Sequence, residues 1–189
     1  DDEKRHGLSR YVGKSIVWFD TSANKKKSQK RTKGGSYINE EEKRIILEIL
    51  DDLKSTGELK GLDIGIITGY SGQKELLRKS IKATGLDKIA SKIDINTLDA
   101  FQGRENDIII YSTVRTRDSI GFQKEKERVN VAFSRAKKLL IVCGDKNFFY
   151  NFDDQDNKFV EIIDYISEGE ECEIIQCDGG KLFERESNS

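Results

Sequence analysis

The sequence contains neither proline nor methionine among its 189 residues. An average proline usage of about 5% predicts about nine prolines in a chain of this length. Methionine is missing even at position 1, where translation would have placed it. The lack of an initiating methionine therefore predicts a fragment of a longer protein.

Long hydrophobic runs are also missing. No apolar stretch reaches the roughly 18 residues that a transmembrane helix needs, and no signal peptide is visible at the start. These two absences argue against a membrane or secreted protein. We therefore expect a soluble intracellular domain, either cytoplasmic or located in the nucleus or nucleoid.

An excess of one charge is absent as well, because 33 Lys and Arg residues are balanced by 34 Asp and Glu residues. The net charge of −1 excludes a general polycation, so any nucleic-acid contact must come from a local basic patch. The three cysteines, Cys143, Cys172 and Cys177, are an odd number without metal-ligand spacing. We expect no metal site, a core position for Cys143 and solvent around the single histidine, His6.

Two nucleotide-binding motifs are absent. No G-x-x-x-x-G-K-[ST] phosphate loop occurs, since no glycine stands five residues before Gly13 in Gly13-Lys14-Ser15. No G-x-G-x-x-G follows a predicted strand, which argues against a Rossmann-type enzyme. If this chain acts on a nucleotide, another domain must hold most of that nucleotide.

What is present is an alternation of strand-like and helix-like segments, which predicts an α/β fold with a mostly parallel sheet and helices on both faces. Short apolar runs predict strands at 15–20, 63–68, 93–97, 107–114 and 139–143, with a late edge strand at 173–176. Helical spacing predicts helices at 39–56, 125–137 and 159–166, and a further helix that follows a turn at 69–73 and runs to about residue 84. Residues 147–157 are predicted as a loop with packed aromatics.

The helix at 39–56 has the clearest signals. Asn39 is a good N-cap, Glu42 stands at the N3 position, and an apolar stripe follows at helical spacing. Residues 98–106, by contrast, are too few for a full helical crossover between parallel strands. That segment therefore contains one short helical turn, or the two strands that it joins are not neighbours in the sheet.

We divide the chain into a polar N-terminal segment (1–14), a main domain (15–168) and a C-terminal extension (169–189). Within the main domain, residues 25–35 carry six positive charges and no apolar side chain, which predicts a flexible loop. The loop is either simply solvated or an arm that attracts phosphates. The second interpretation is weakened because the segment lacks the aromatics of a single-strand stacking platform.

The predicted helix 125–137 carries two arginines on one side. Arg128 and Arg135 are seven residues apart, so they would lie about 10 Å from each other near the edge of the buried stripe. Guanidinium groups held in this way suit bidentate recognition of a phosphate. The alternative is that both form structural ion pairs, with Glu125, Glu127 or the carboxylates of residues 99–107.

Three segments together carry a family resemblance. Residues 64–73, IGIITGYSGQ, resemble helicase motif IV; residues 97–105, TLDAFQGRE, resemble motif V; and residues 128–136, RVNVAFSRA, resemble motif VI. The chain thus resembles the second, C-terminal RecA-like domain of a superfamily 1 helicase, in the branch of the nonsense-mediated-decay RNA helicases and their DNA-replication relatives. Two departures from the family pattern are Gly69 in place of the usual proline and the absence of the "YRM" arginine motif.

The resemblance implies a RecA-like fold of the P-loop NTPase type and an ATP-driven motor on a single strand of DNA or RNA. ATP and Mg²⁺ would be held mainly by the absent N-terminal RecA-like domain of the same protein. The resemblance implies no membrane partner. Arg135 would be the arginine finger on the γ-phosphate. Glu105 would contact the ribose, and the same cleft would be supported by Gln102, Gly103 and Arg128.

The resemblance also implies a strand-binding side. Thr97 would hydrogen-bond a phosphate of the bound nucleic-acid strand. The residues implied to line the path of that strand, called the strand track here, are Thr68, Tyr70, Ser71 and Gln73. Arg115 belongs to the same group, without an assigned partner. A second hypothesis is a catalytically degenerate helicase-like scaffold that only binds nucleic acid or protein. An intact phosphate loop upstream of Asp1 would favour the motor, and its loss would favour the scaffold.

Overall fold

The computed structural model describes residues 6–58, 61–86 and 93–183. Its strands are β1 (Ile16–Asp20), β2 (Lys30–Arg31), β3 (Tyr37–Ile38), β4 (Ile64–Thr68), β5 (Ile93–Thr97), β6 (Asn106–Ser112), β7 (Ala136–Gly144) and β8 (Cys172–Gln176). Six of them form a sheet in the order β5-β4-β6-β7-β1-β8, in which all neighbours run parallel. The predicted parallel α/β fold is confirmed, and β8 is the expected edge strand.

Helices cover both faces of this sheet. They are α1 (Glu40–Ser55), α2 (Ser71–Ala83), α3 (Lys126–Phe133), α4 (Lys146–Tyr150) and α5 (Lys158–Glu168). Because side chains alternate along a strand, β6 serves both cores. Ile108 and Ile110 belong to the core under α1 and α2, whereas Ile109 and Tyr111 belong to the core under α3 and α5.

Helix α1 confirms the prediction for residues 39–56. The Asn39 side chain accepts hydrogen bonds from the backbone N–H groups of Glu41 and Glu42. The apolar stripe is completely buried and consists of Ile45, Ile46, Ile49, Leu50 and Leu53. Burial of one such side chain contributes about 1.5–3 kcal/mol, so this stripe fixes α1 against the sheet.

The predicted helix 125–137 is wrong at its C-terminal end. Helix α3 stops at Phe133, and Ala136 already pairs with Asn106 at the start of β7. Ala136 has helical spacing in the sequence but is extended in the structure, because there its strand forms hydrogen bonds with β6. One of them joins the Asn106 N–H to the Arg135 carbonyl at 3.1 Å.

The segment 147–157, predicted as a loop, begins inside α4. Asp145 caps this helix by accepting a hydrogen bond from the Phe148 N–H at 3.0 Å. Phe149 is fully buried, with its ring centroid 4.4 Å from that of Phe159. The predicted packing role is therefore confirmed for Phe149, whereas Tyr150 stays exposed.

The basic segment 25–35, predicted as a flexible loop, contains β2, which forms an antiparallel hairpin with β3. Lys27 forms an ion pair with Asp145 at 2.8 Å, and Gln29 is almost completely buried. The other cations of the segment stay exposed, and three of them lie on the hairpin: Lys30, Arg31 and Lys33. The sequence did not show this hairpin because its anchors lie far away in the chain.

Residues 6–14 of the N-terminal segment also pack onto the domain. His6, predicted to be solvated, is only 8% exposed. Its Nδ1 accepts a hydrogen bond from the Leu8 N–H at 3.0 Å, so Nε2 carries the proton donated to the Lys14 carbonyl at 2.9 Å. Leu8 and Tyr11 continue from this turn into the core under α1.

The connection between β5 and β6 satisfies both predicted alternatives. Strand β4 lies between the two strands, and a short 3-10 helix occupies Asp99–Phe101. The Phe101 ring is fully buried above Gly65, where an added Cβ would come within 2.5 Å of the ring. Residues 98–105 thus run from the carboxyl end of β5 to the amino end of β6.

Candidate functional site

The predicted site residues fall on two opposite edges of the sheet. Parallel strands place all their first residues along one edge and all their last residues along the other. Gln102, Gly103, Glu105 and Arg135 lie at the amino edge. The residues at or near the carboxyl edge are Thr68, Tyr70, Ser71, Gln73, Thr97, Arg115 and Arg128.

At the amino edge, Glu105 and Arg135 are neighbours across two strands. Glu105 immediately precedes β6 and Arg135 immediately precedes β7, and the two strands begin at the Asn106–Ala136 pair. Residues 102–105 are exposed to solvent. An exposed acidic residue and a half-buried arginine therefore stand at the ends of adjacent strands.

The Arg135 side chain is partly buried, and its buried Nε has no hydrogen-bond partner among the residues that the structure describes. Within the described residues its guanidinium forms no ion pair, so the structural-bridge interpretation is not realised there. A buried donor without a partner costs about 1–3 kcal/mol. An acceptor brought to this edge from outside would remove that cost. An open groove adjoins the site, lined by residues of 6–16 and by Phe133, Ala136 and Lys137.

Gly103 forms the turn just before Glu105. Its φ of +81° lies in the left-handed region, and no atom of the described ranges stands within 4 Å of the position a Cβ would take. The backbone conformation, rather than crowding inside this chain, is what favours glycine here. The space above the turn is open to a ligand.

Arg128 does not share a helix side with Arg135, because Arg135 lies beyond the end of α3. Its Nε instead lies 3.0 Å from Glu125 and 3.6 Å from Asp99, which follows the carboxyl end of β5. The guanidinium also lies 5.0 Å from the Phe122 ring centroid. For Arg128 the structural-bridge interpretation is confirmed, and the predicted pairing of the two arginines on one helix is wrong.

At the carboxyl edge, Thr68 and Thr97 are paired residues of β4 and β5. The Leu98 N–H donates to the Thr68 carbonyl at 3.0 Å, which ties the two strand ends together. Thr97 is half-buried and Ser71 is exposed at the start of α2, whereas the Thr68 side chain is fully buried. Of these three, only Thr97 and Ser71 face an accessible surface.

Gln73 is fully buried and joins three elements. Its Oε1 accepts from the Asn39 N–H at 2.8 Å, and its Nε2 donates to the Asn39 carbonyl and to Ser112 Oγ, both at 3.1 Å. All hydrogen-bonding atoms of the side chain face the protein interior. Gln73 therefore positions α1, α2 and β6 and does not line the surface.

Glu42 is a residue of this edge that the sequence did not reveal. It accepts from Ser112 Oγ at 2.6 Å, from Thr113 Oγ1 at 3.2 Å and from the Val114 N–H at 2.9 and 3.0 Å. Complete burial raises the pKa of Glu42 to about 8, although these donors lower it. The expected capping-box bond to Asn39 is made by Gln73 instead, because Glu42 is directed at residues about seventy positions away.

Arg115 is 5% exposed and is held by a second residue that sequence reasoning missed. Its Nε donates to Gln29 Oε1 at 3.0 Å, and its guanidinium lies 4.1 Å from the Tyr37 ring centroid. Tyr70 is also buried, and burial raises its pKa more than the nearby Arg115 charge lowers it. Both side chains support the carboxyl edge from inside.

The described part of the chain contains no group of three His, Cys, Asp or Glu side chains that could hold a metal ion. Cys143 is in the core as predicted, and Cys172 and Cys177 are buried free thiols. Among these residues, no helix has the length and apolar character required to cross a membrane.

Comparison with known proteins identifies the family. The AAA domain family matches residues 3–147. The chain is 36% identical over 138 residues to the DNA polymerase alpha-associated DNA helicase A of Saccharomyces cerevisiae, covering 69% of this chain and 19% of that protein. It is 38% identical over 136 residues to an uncharacterized ATP-dependent helicase of Methanocaldococcus jannaschii, covering 72% of this chain and 18% of that protein.

A third relative is the regulator of nonsense transcripts 1 homolog of Neurospora crassa, which is 38% identical over 116 residues, or 59% of this chain and 10% of that protein. The chain thus spans about a fifth or less of the length of these three relatives. The match to the family covers most of the chain, including β1, both candidate edges and β7. The chain belongs to the AAA domain family that forms the C-terminal RecA-like part of superfamily 1 helicases, in the group of the nonsense-transcript regulators and their DNA-helicase relatives.

Proposed function

We propose that this chain is the C-terminal motor domain of an ATP-dependent helicase or translocase acting on single-stranded DNA or RNA. In this proposal it supplies an arginine finger at the amino edge and part of a strand track at the carboxyl edge. The names of its relatives support ATP dependence and helicase activity. The other half of the motor, an N-terminal RecA-like domain, would contribute the phosphate loop.

The observation that carries this proposal is the Arg135 guanidinium. Arg135 stands next to Glu105 in backbone position at the amino edge, and among the described residues its buried Nε has no hydrogen-bond acceptor. A planar guanidinium matches the oxygens of a phosphate and keeps its charge at every working pH. Brought against a terminal phosphate, Arg135 would stabilise negative charge that develops as the phosphoryl group leaves.

The neighbouring residues fit the same ligand. Glu105 offers an exposed acceptor for ribose hydroxyls, and Gly103 leaves the space above its turn open. Gln102 is exposed beside them, whereas Arg128 is tied to Glu125 and Asp99 and would act on this cleft only through the structure. Mg²⁺, which neutralises phosphate charge when bound, would take its carboxylates from the other domain, since the described residues hold no ligand cluster.

The carboxyl edge would carry the nucleic acid. Thr97 and Ser71 are the accessible hydroxyl groups there and suit hydrogen bonds to strand phosphates. Thr68, Tyr70, Gln73 and Arg115 are buried, so in this proposal they position the track. Contacts to phosphates carry little base information, which leaves both DNA and RNA as substrates.

The decisive experiment is Arg135→Ala in a protein that carries this chain together with its phosphate-loop domain. We expect ATP to bind with nearly unchanged affinity, while kcat for hydrolysis falls by roughly 10³- to 10⁵-fold. ATP binding is measured by fluorescent-nucleotide titration and hydrolysis by phosphate release. Arg135→Lys should recover little, because an ammonium lacks the bidentate fork.

Arg78→Ala is the matched control, because Arg78 is an exposed arginine on α2 that pairs with Glu75 and donates to the Ile95 carbonyl at 3.1 Å, away from the amino edge. We expect it to leave both affinity and kcat close to the wild-type values. Weaker ATP binding with an unchanged kcat in the Arg135 variant would contradict the finger assignment. A neighbouring domain without an intact phosphate loop would favour the scaffold hypothesis.

A further inference from the structure

An exposed aromatic ring stands out on the carboxyl side of the domain. Phe122 is 53% exposed, and only three other large hydrophobic residues in the described part of the chain are comparably open: Val12, Tyr150 and Tyr165. Phe122 belongs to the short 3-10 helix Gly121–Lys124. A phenylalanine left in water forgoes the free energy that its burial would contribute, and a ligand that covered the ring would recover it.

The backbone that carries Phe122 is held firmly. Ile120 and Gln123, on either side of the ring, are almost completely buried. Gln123 Nε2 donates to the Thr113 carbonyl at 3.1 Å and to the Ile120 carbonyl at 3.2 Å, and its Oε1 accepts from the Tyr111 hydroxyl. The ring is therefore presented from a fixed support.

Phe122 is the outer member of a row of aromatic and guanidinium groups. Its centroid lies 5.9 Å from that of Tyr70, which in turn lies 5.6 Å from that of Tyr37 in an edge-to-face contact. The Arg115 guanidinium lies 4.1 Å from the Tyr37 centroid, and that of Arg128 lies 5.0 Å from the Phe122 centroid. We call these five residues the aromatic row.

The aromatic row lies beside the proposed strand track. Tyr70 immediately precedes Ser71, and Arg128 contacts Asp99, two residues beyond Thr97. Tyr37 belongs to β3, so the hairpin that bears Lys30, Arg31 and Lys33 adjoins the row. Within the described residues these three exposed cations form no ion pair. The basic segment 25–35 contains no aromatic residue of its own. The fold thus brings aromatic residues from other parts of the chain next to it.

We propose that Phe122 stacks on an unstacked nucleobase of the bound single strand. Arg128 stays near one side of the ring, and the exposed surface of Phe122 takes the base, while the hairpin cations attract the neighbouring phosphates. Every base has a π-face, so this contact tolerates any sequence and gives strand binding a component that does not depend on salt. The inference rests on the proposed strand binding and assigns it a base contact.

The test compares binding of the 189-residue chain to a base-bearing oligonucleotide and to an abasic one of equal length. Phe122→Leu keeps an apolar side chain but removes the π-face, and Tyr165→Leu changes an even more exposed ring on α5 as the matched control. We expect Phe122→Leu to weaken binding of the base-bearing strand by about 5- to 100-fold. Binding of the abasic strand and the slope of log K against log salt should stay unchanged, and Phe122→Trp should bind at least as tightly as wild type.

The possible outcomes separate the two proposals. If the wild-type chain binds neither strand at low ionic strength, strand binding by this chain is overturned, and the base contact falls with it. If wild type binds but Phe122→Leu has no effect, or weakens both strands equally, the base contact alone is overturned. Phe122→Leu could instead weaken docking to the phosphate-loop domain without a selective loss of base binding. That result would assign the ring to a domain interface and would also overturn the base contact.

Discussion

At the residue scale, single side chains that are distant in sequence determine the carboxyl edge. Asn39 was predictable as a helix cap because its signal is local. Glu42, three residues later, carried the same kind of local signal, yet its carboxylate turns to Ser112, Thr113 and Val114. Its partners could not be predicted, since only the assembled sheet brings β6 to the start of α1. Phe122 escaped notice for a similar reason, as exposure is a property of the fold.

The burial of Glu42 makes the stability of the chain depend on pH. Its folded-state pKa of about 8 lies above the ordinary value of 4.5, so the folded state holds a proton that the unfolded state releases. The contribution of Glu42 to the free energy of unfolding is therefore greatest below about pH 4.5. It is lost as pH rises through about 8, by at most about 1.4 kcal/mol per pH unit. Urea unfolding at several pH values between about 5 and 8 measures the slope of the unfolding free energy against pH.

The matched variant for this prediction is Glu42→Gln, which keeps the shape and one carbonyl acceptor but cannot ionise. We expect it to flatten the fall in unfolding free energy over that pH range. The control is Glu75→Gln, at a solvent-exposed carboxylate on α2, which should leave the slope unchanged. An identical slope in wild type and Glu42→Gln would show that another group is responsible.

At the element scale, the ends of a helix were predictable where a capping residue and a buried apolar stripe indicate the same boundaries. They were not predictable where a neighbouring strand takes the same residues into the sheet. Helix α1 has both signals and matches its prediction within a residue at each end. Helix α3 has no side-chain cap, and its apolar spacing runs on into residues that β7 takes for its ladder. Hydrogen bonds to a neighbouring strand are invisible to a local pattern. The misplaced helix end is what put Arg135 on the wrong element.

The cap of α1 should carry more stability than an ordinary helix cap. Asn39 accepts from two N–H groups, and its Nδ2 also donates to the Lys27 carbonyl at 2.6 Å and to the Val114 carbonyl at 3.1 Å. We expect Asn39→Ala to lower the free energy of unfolding by about 2–4 kcal/mol, combining a lost cap with buried carbonyls left unpaired. Asn39→Ser, which retains a capping oxygen, should cost less. Equal losses in chemical denaturation would contradict the capping account.

At the scale of the whole molecule, the alternation of strands and helices predicted the parallel sheet but not the order of its strands. The insertion of β4 between β5 and β6 was one of two open alternatives, and only the three-dimensional structure decides it. The same topology assigns Glu105 and Arg135 to one edge and Thr97 to the other. Motif recognition grouped these residues by role, whereas the sheet separates them by the length of a strand.

The isolated chain should be a binding module without turnover. Its sequence has no phosphate loop, so we expect no ATP hydrolysis by the purified 189-residue chain in a phosphate-release assay. Single-strand binding should be weak, and with three hairpin cations log K should fall with log salt at a slope of about −2. Robust hydrolysis by the chain alone, free of contaminating enzyme, would contradict the division of labour between two domains.

The close fit of Phe101 over Gly65 links two positions that are 36 residues apart in sequence. A methyl group at position 65 would have to share its volume with the ring, with Ile109 Cδ1 at 2.7 Å and with Asn106 Oδ1 at 2.9 Å. A larger side chain at 65 therefore requires a smaller one at 101 and, in addition, movement of Ile109 and Asn106. Among homologues, a residue larger than glycine at 65 should occur only together with a residue smaller than phenylalanine at 101.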